Sequence, residues 1–122
     1  MAEAHLYYTG TQRKVYALVQ KQRYIFEDDF PRNIPKQTKD KIDEYIRFLA
    51  DAILPITNKH ISRKLQGYEN LFELKPKNIR IFYFFFGQYA VIISSCTKQP
   101  KKSNENDFKR AENLKRQFLS EN

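Results

Sequence analysis

The chain has 122 residues, of which 41% are hydrophobic and 15% aromatic, and its formal net charge is +8 at pH 7. These values exclude a disordered chain, and the length fits one domain spanning residues 1–122. A single cysteine, Cys96, excludes an internal disulfide framework and a four-cysteine zinc site. We therefore expect a cytoplasmic protein, and the N-terminal residues lack the layout of a signal peptide.

The positive charge is concentrated in one third of the chain. Residues 63–102 contain 8 basic and 2 acidic residues, whereas residues 1–62 contain 10 and 8, and residues 103–122 contain 4 and 4. This distribution predicts a basic surface whose natural partner is a polyanion. A basic face that only maintains solubility is the alternative.

Weak alternation over residues 13–19 predicts a first strand. A short helix over 24–30 is possible within the loop that follows. Residues 36–53 predict the main helix, because apolar side chains recur on one helical face: Ile42, Tyr45, Ile46, Leu49 and Ile53. A second helix is predicted from Thr57, as N-cap, to Leu65, with Gly67 as the stop signal.

The second half of the chain changes to the period of two that is typical of strands. Strands are predicted over 71–77, 79–86 and 89–97, and the middle one is apolar on both faces. Ser103 or Asn104 then caps a C-terminal helix whose apolar stripe is Phe108, Ala111, Leu114 and Phe118. The order of elements predicts an α+β fold, with a small antiparallel sheet and helices packed mainly on one face.

The usual catalytic motifs are missing from the sequence. Three glycines cannot build a phosphate-binding loop, and neither His5 nor His60 has metal ligands at a suitable spacing. We interpret His60 as a surface residue of the short helix and Cys96 as a small buried strand residue. No metal or other cofactor is expected.

Basic residues on the strands are the remaining candidates for a site. In a three-strand meander the third strand ends near the start of the second. This arrangement would gather Lys75, Lys77, Arg80 and Lys98 at one end of the sheet.

Arg80 is the only charged residue in the apolar strand 79–86, so its side chain needs an oppositely charged partner or a solvated pocket. One interpretation is a salt bridge to Glu73 or Glu69, and the other is a cation that faces a phosphate site. Glu73 has the same two interpretations, because it could orient Arg80 or act as a general base.

Three segments resemble the RelE/HigB toxin superfamily, and more closely its phage-derived HigB-like branch: Lys64–Gly67, Leu71–Lys75 and Ile79–Phe84. That branch has a strand of the type leucine, aromatic, Glu-Leu-Arg, then a strand of the type Tyr-Arg-Ile, and then an aliphatic strand that ends in Lys-Lys. The resemblance extends over residues 13–119, and residues 64–98 carry most of it.

The resemblance holds at some positions and departs at others. Lys75 stands where an arginine is usual, Arg80 matches the strand arginine, and Lys98 matches the first lysine of the pair. Gln99 stands where the second lysine is common, and Ile79 stands where a tyrosine often precedes the arginine. These departures bear on the catalytic set more than on the fold.

The resemblance implies a RelE-like fold and the toxin of a bacterial type II toxin–antitoxin system. Such a toxin is an endoribonuclease that cleaves mRNA, usually on the ribosome, and a cognate antitoxin holds it inactive. We expect a small antitoxin with a helix-turn-helix or an acidic segment, and no membrane partner. When the ribose 2′-OH is the nucleophile, cations can stabilise the phosphorane without a metal or a histidine.

The residues expected to act at the scissile phosphate are Lys75, Arg80 and Lys98, with Glu73 as base or orienting group. The residues expected to bind the RNA backbone are Lys64, Lys77, Lys101 and Lys102. The alternative function is a non-catalytic RelE-like module that binds nucleic acid or an acidic protein.

Overall fold

One mixed sheet and three helices are seen in the computed structural model, which describes residues 3–99 and 104–122. The strands are β1 (Glu3–Thr9), β2 (Lys14–Gln20), β3 (Arg23–Tyr24), β4 (Ser62–Lys64), β5 (Phe72–Leu74), β6 (Ile79–Phe86) and β7 (Tyr89–Thr97). The helices are α1 (Ile25–Asp28), α2 (Lys36–Asp51) and α3 (Glu105–Ser120). None of the helices in these residues is long and apolar enough to cross a membrane.

The strands lie in the order β1-β2-β7-β6-β5-β4. The short strand β3 pairs with Val19 and Gln20 at the end of β2. The α+β class with a single sheet is confirmed. The prediction of an antiparallel sheet needs one correction, because β2 and β7 are parallel while the other pairs are antiparallel. A parallel pair requires a long crossover, and the chain from β2 through α2 and the later strands supplies it.

Strand β6 is buried on both faces, as its apolar sequence predicts. Ile81 and Tyr83 join a core cluster with α2, whereas Phe82 and Phe84 join a second cluster with α3. The helices therefore cover opposite faces of the sheet, and the prediction that they pack mainly on one face is wrong. The physical reason is that a strand with large apolar side chains on both faces needs cover on both.

Helix α2 begins where the sequence predicts and ends two residues early, at Asp51. Ile42, Ile46 and Leu49 are buried in the core, as the stripe predicts. Ile53, the last member of the predicted stripe, lies beyond the helix and is 80% exposed.

The turn between β1 and β2 packs against the C-terminal end of α2 and hydrogen-bonds to it. Arg13 donates hydrogen bonds from its guanidinium to the carbonyl oxygens of Leu49 and Ala52, the latter at 2.8 Å. These are carbonyls of the last turn, which a helix leaves without intrahelical partners. Gly10 packs so closely that an added Cβ would lie 2.3 Å from the Ala50 Cβ. The N-terminal strands are therefore attached to α2 by hydrogen bonds and close packing.

The prediction of a helix over 57–65 is wrong. Residues Ser62–Lys64 form strand β4, which pairs with β5 and places Arg63 opposite Glu73. His60, predicted on that helix, lies instead in an exposed turn.

Hydrogen bonding to the edge of β5 decides this difference. Ile61 and Leu65 have the i, i+4 spacing of a helix, but both use their backbone in the sheet. The Ile61 carbonyl accepts from the Lys75 N–H, and the Leu65 N–H donates to the Leu71 carbonyl, both at 2.9 Å. Gly67 lies in the connecting turn with φ of +85°, a conformation that favours glycine.

The remaining predictions of elements are largely confirmed. Strands β2, β6 and β7 and the short helix α1 lie where they were expected, and β5 is shorter than predicted. In α3, Ala111 and Phe118 are buried, while Phe108 and Leu114 pack against the same cluster. Strand β1 was not predicted at all. Asn104 is the N-cap of α3, and Ser103 lies outside the described residues.

We predict that Arg13→Met lowers the free energy of unfolding by about 2 kcal/mol, because two carbonyls at the end of α2 lose a charged donor. Urea unfolding of the purified chain measures this change. The neighbouring exposed residue provides the control, and Lys14→Met should change the free energy by less than about 0.5 kcal/mol. Equal stability of the Arg13→Met chain and the wild type would contradict the capping role.

Candidate active site

Glu73 is a buried carboxylate near one end of the sheet. It lies on β5, opposite Arg63 of β4 and Phe82 of β6. Its side chain is 2% exposed, accepts a hydrogen bond from Arg63 Nε, and places Oε1 3.8 Å from Arg80 Nε. Because an unpaired buried charge is costly, the two arginines compensate for the burial of the Glu73 carboxylate.

Arg80 is buried at the start of β6 and is hydrogen-bonded to the backbone. Its Nη1 donates to the carbonyl oxygens of Lys77 and Ile79, each at 2.9 Å. Burial lowers the pKa of Arg80, and the neighbouring carboxylate of Glu73 acts in the opposite direction. Of the two interpretations of Arg80, the salt bridge to Glu73 is the one formed in this structure.

Lys75 is partly buried next to this ion pair. Its Nζ donates a 3.0 Å hydrogen bond to the Lys59 carbonyl. Burial lowers the pKa of Lys75 below its ordinary value, and the positive charges of Arg80 and Arg63 lower it further. A lowered pKa makes a lysine a better proton donor, and groups with shifted pKa values are concentrated at functional sites.

Lys98 completes the group from the end of β7. Its backbone N–H donates to the Asn78 carbonyl at 2.8 Å, its side chain is exposed, and its charge also lowers the pKa of Lys75. Lys98 follows Cys96, the partner of Arg80 across β6 and β7, by two residues. The structure thus brings Lys75, Arg80, Lys98 and Glu73 together, and we call the four cations Arg63, Lys75, Arg80 and Lys98 the cation cluster.

A groove of about 800 Å³ opens beside the cation cluster. Its lining combines basic, hydroxyl and apolar side chains: Ile56, Thr57, Lys59, Ser62, Arg63, Lys64, Leu65, Gln66 and Phe108. The volume is in the range of ligand pockets. We call it the basic groove.

Two of the four residues predicted to bind the RNA backbone, Lys64 and Lys77, lie in different elements. Lys64 lines the basic groove and donates from Nζ to the Tyr68 carbonyl at 2.7 Å. Lys77 is exposed in the turn before β6, with φ of +56°. Lys101 and Lys102 lie outside the described residues, so their predicted role stays a prediction.

Arg63 and Phe108 are among the site residues that sequence reasoning missed. Arg63 was placed on a helix, which hid its position directly across from Glu73. The available signal was its place at the start of the basic segment 63–102. Phe108 was predicted only as a core residue of α3, and it also lines the basic groove.

Cys96 does not have the properties of a nucleophile. Burial, followed by the nearby carboxylate of Asp107, raises the pKa of its thiol to about 12. The thiolate is the reactive form, and at neutral pH it is therefore scarce. Among residues 3–99 and 104–122, no three His, Cys, Asp or Glu side chains lie together as a metal site.

A family model described as Phage derived protein Gp49-like (DUF891) matches residues 29–116. The chain belongs to this family. The Gp49-like family is associated with RelE-like and other toxin-like proteins, which supports the resemblance at that coarser level. The match contains Glu73 and the whole cation cluster, whereas β1 and β2 lie before it. The search of curated proteins found no match.

We predict that Lys75 titrates below its ordinary pKa of 10.5, and that Arg63→Gln moves this pKa back up because one neighbouring positive charge is lost. Titration of the lysine side-chain carbons by NMR measures both values, with Lys75→Arg to assign the signal.

The same shift affects stability. The folded chain holds the Lys75 proton less tightly than the unfolded chain, so its charge is a penalty at neutral pH. That penalty is relieved as the pH rises towards 10.5. A Lys75 signal that titrates at or above 10.5 would contradict the proposed environment.

Proposed function

We propose that this chain is the toxin of a type II toxin–antitoxin system, of the RelE/HigB type. Its reaction is the cleavage of mRNA, in association with the ribosome, by attack of the ribose 2′-OH on the adjacent phosphorus. Its partners are mRNA and a cognate antitoxin with a helix-turn-helix or acidic segment. The cation cluster around Glu73, beside an open basic groove in a Gp49-like chain, is the observation that carries this proposal.

The cation cluster suits the charge changes of this reaction. Attack by the 2′-oxygen places extra negative charge on the phosphorane oxygens, and positioned cations stabilise that charge. Lys98 and Arg63 are the exposed members, so we assign them to the scissile phosphate. Lys75, with its lowered pKa, is assigned to proton transfer at the 2′-OH or at the leaving 5′-oxygen.

Glu73 and Arg80 receive a different assignment, because both are buried. Glu73 is 2% exposed and pairs with both arginines, so it orients Arg63 towards the groove. Arg80 pairs with Glu73 and, from its buried position, contributes positive electrostatic potential to the site. Both are positioning residues in this proposal. Direct contact of Arg80 with phosphate, or of Glu73 with the 2′-OH as a base, would require these side chains to move.

A non-catalytic binding module is the second candidate. It is favoured by the fact that Arg80 is engaged with Glu73 and with two backbone carbonyls. The two functions differ in what removal of a cation does. A binder loses affinity in salt-dependent steps, whereas a nuclease loses rate far out of proportion to binding.

We predict that induced expression without a partner arrests bacterial growth, and that Lys75→Met relieves the arrest. The purified Lys75→Met chain should cleave RNA at least about 100-fold more slowly, as when a preorganised donor is lost. Growth curves and mapped mRNA ends over minutes measure the two effects. Lys75 is preferred to Arg80 for this test because replacing a buried, paired arginine also threatens folding.

Lys36→Met is the matched control, because Lys36 is 90% exposed at the start of α2 and outside the site. It should arrest growth as the wild type does. Normal growth of cells that contain abundant folded wild-type protein would contradict the toxin proposal. Cleavage unchanged in Lys75→Met would remove Lys75 from the mechanism.

We predict that cleavage continues in excess chelator, provided that any ribosome present is kept intact, and leaves a 2′,3′-cyclic phosphate or its hydrolysis product. The reason is that a 2′-OH nucleophile needs no metal-activated water. Mass spectrometry of the cleaved ends identifies the product. Activity on free RNA that disappears on chelation and returns with Mg²⁺ would refute this mechanism.

A further inference from the structure

Strand β4 forms one edge of the sheet, and its outer side has backbone groups available for pairing. The hydrogen bonds of Ile61 and Leu65 to β5 mean that these residues, and Arg63 between them, direct their backbone inwards. Ser62 and Lys64 therefore direct theirs outwards. The Ser62 N–H already donates to the Asn58 carbonyl at 3.1 Å. No described residue hydrogen-bonds to the Ser62 carbonyl or to the Lys64 N–H and carbonyl.

A cleft lies along this outer edge, between β4 and residues 54–59. On one side of β4 it contains the basic groove, with Lys59 and Arg63. On the other side it contains a groove of about 290 Å³, which we call the apolar groove. The lining of the apolar groove is Leu54, Pro55, Ile56, Ser62, Arg63, Lys64, Phe72, Tyr83 and Phe85. Ser62, Arg63, Lys64 and Ile56 line both grooves, so β4 and Ile56 border each of them.

This geometry selects one kind of occupant. A strand added to a sheet edge directs alternate side chains to opposite faces. Here one face offers aliphatic and aromatic carbon, including Leu54, which is 43% exposed. The other face adds Lys59 to the cations Arg63 and Lys64, which line both grooves. An uncharged apolar peptide would leave the basic groove unmatched, and an acidic peptide without apolar residues would leave the apolar groove unmatched.

We propose that the β4 edge binds an extended segment of a partner protein in which acidic and apolar residues alternate. The segment pairs with the Ser62 carbonyl and with the N–H and carbonyl of Lys64. Its apolar side chains enter the apolar groove, and its carboxylates face Arg63 and Lys59. The segment covers Arg63, and so it blocks the basic groove. This inference deepens the proposed function, and rests on it, in that the partner would be the inhibitor of the nuclease.

The test uses the full ¹⁵N-labelled chain and a capped synthetic peptide, Glu-Leu-Glu-Val-Glu-Leu-Glu. A peptide of the same composition in the order Glu-Glu-Leu-Val-Leu-Glu-Glu is the control. We expect saturable binding of the alternating peptide, with shifts centred on residues 62–64, slower hydrogen exchange at the Lys64 N–H, and weaker binding in high salt.

The matched variants are Lys64→Pro and Lys64→Ala. Proline is tolerated on an edge strand at a position whose N–H faces outwards, so Lys64→Pro removes the outward donor and leaves the β4–β5 ladder intact. Alanine removes only the side chain. Lys64→Pro should bind the peptide roughly tenfold or more weakly than Lys64→Ala. Should the NMR spectrum show that Lys64→Pro is misfolded, an N-methylated form of the synthetic peptide is tested on the wild-type chain. It lacks the N–H donors that pair with the Ser62 and Lys64 carbonyls, and it should also bind roughly tenfold or more weakly.

Equal binding of the two peptides, or equal binding by the two variants, would overturn the proposal. So would a wild-type dimer that dissociates in Lys64→Pro without any peptide binding, since the occupant would then be a second copy. Shifts at residues 62–64 caused only by single-stranded RNA would assign the edge to RNA instead. The peptide should also inhibit RNA cleavage. If the wild type cleaves no RNA, the proposed function fails and the binding measurements still test this inference. If the wild type cleaves RNA but does not bind the peptide, this inference fails and the proposed function is unaffected.

Discussion

The burial of β6 on both faces is the constraint on which the rest of the fold depends. Seven of the eight residues of Ile79–Phe86 are large and apolar and lie on alternate sides of the strand, and no single layer of helices can cover both sides. Helix α2 covers one side and α3 covers the other, so the chain must cross the sheet between them. The long connection that carries α2 also allows β2 to pair in parallel with β7, which places β7 and β6 in the interior of the sheet.

The same constraint explains where charge is tolerated. Arg80 is the one charged side chain of β6, and its burial would be unfavourable without compensation. Glu73 on the neighbouring strand provides this compensation, and Arg63 on the next strand shares it. The ion pairs that Glu73 makes with Arg80 and Arg63 are therefore a structural requirement, and the two arginines are also a source of fixed positive potential. Lys75 and Lys98 border this potential from the ends of β5 and β7, and the pKa of Lys75 is lowered first by burial and then by this potential.

The position of β4 gives the site its access. As a short edge strand it leaves one row of backbone groups outside the sheet, and it borders a basic groove on one face and an apolar groove on the other. Exposed edges are usually blunted by short length and by charge, and β4 has both features. The lysine and arginine that discourage pairing with a neutral or basic strand also favour an acidic one. The proposed substrate groove and the proposed partner site thus share one edge of the sheet.

The sequence by itself predicted the α+β class, most of the elements and a grouping of Lys75, Lys77, Arg80 and Lys98, of which the structure places Lys75, Arg80 and Lys98 around Glu73. These features are signalled locally, by period-two patterns, helical patterns and runs of charge. The sequence did not determine that 57–65 ends in a strand. The i, i+4 spacing in that segment fits a helix, and only the open edge of β5 makes a strand the better solution. The side of the sheet that each helix covers, and the role of Arg63 beside Glu73, were likewise decided by tertiary structure. Both depend on contacts between residues far apart in sequence, and hydrogen bonding across strands and shared burial are properties that no single segment encodes.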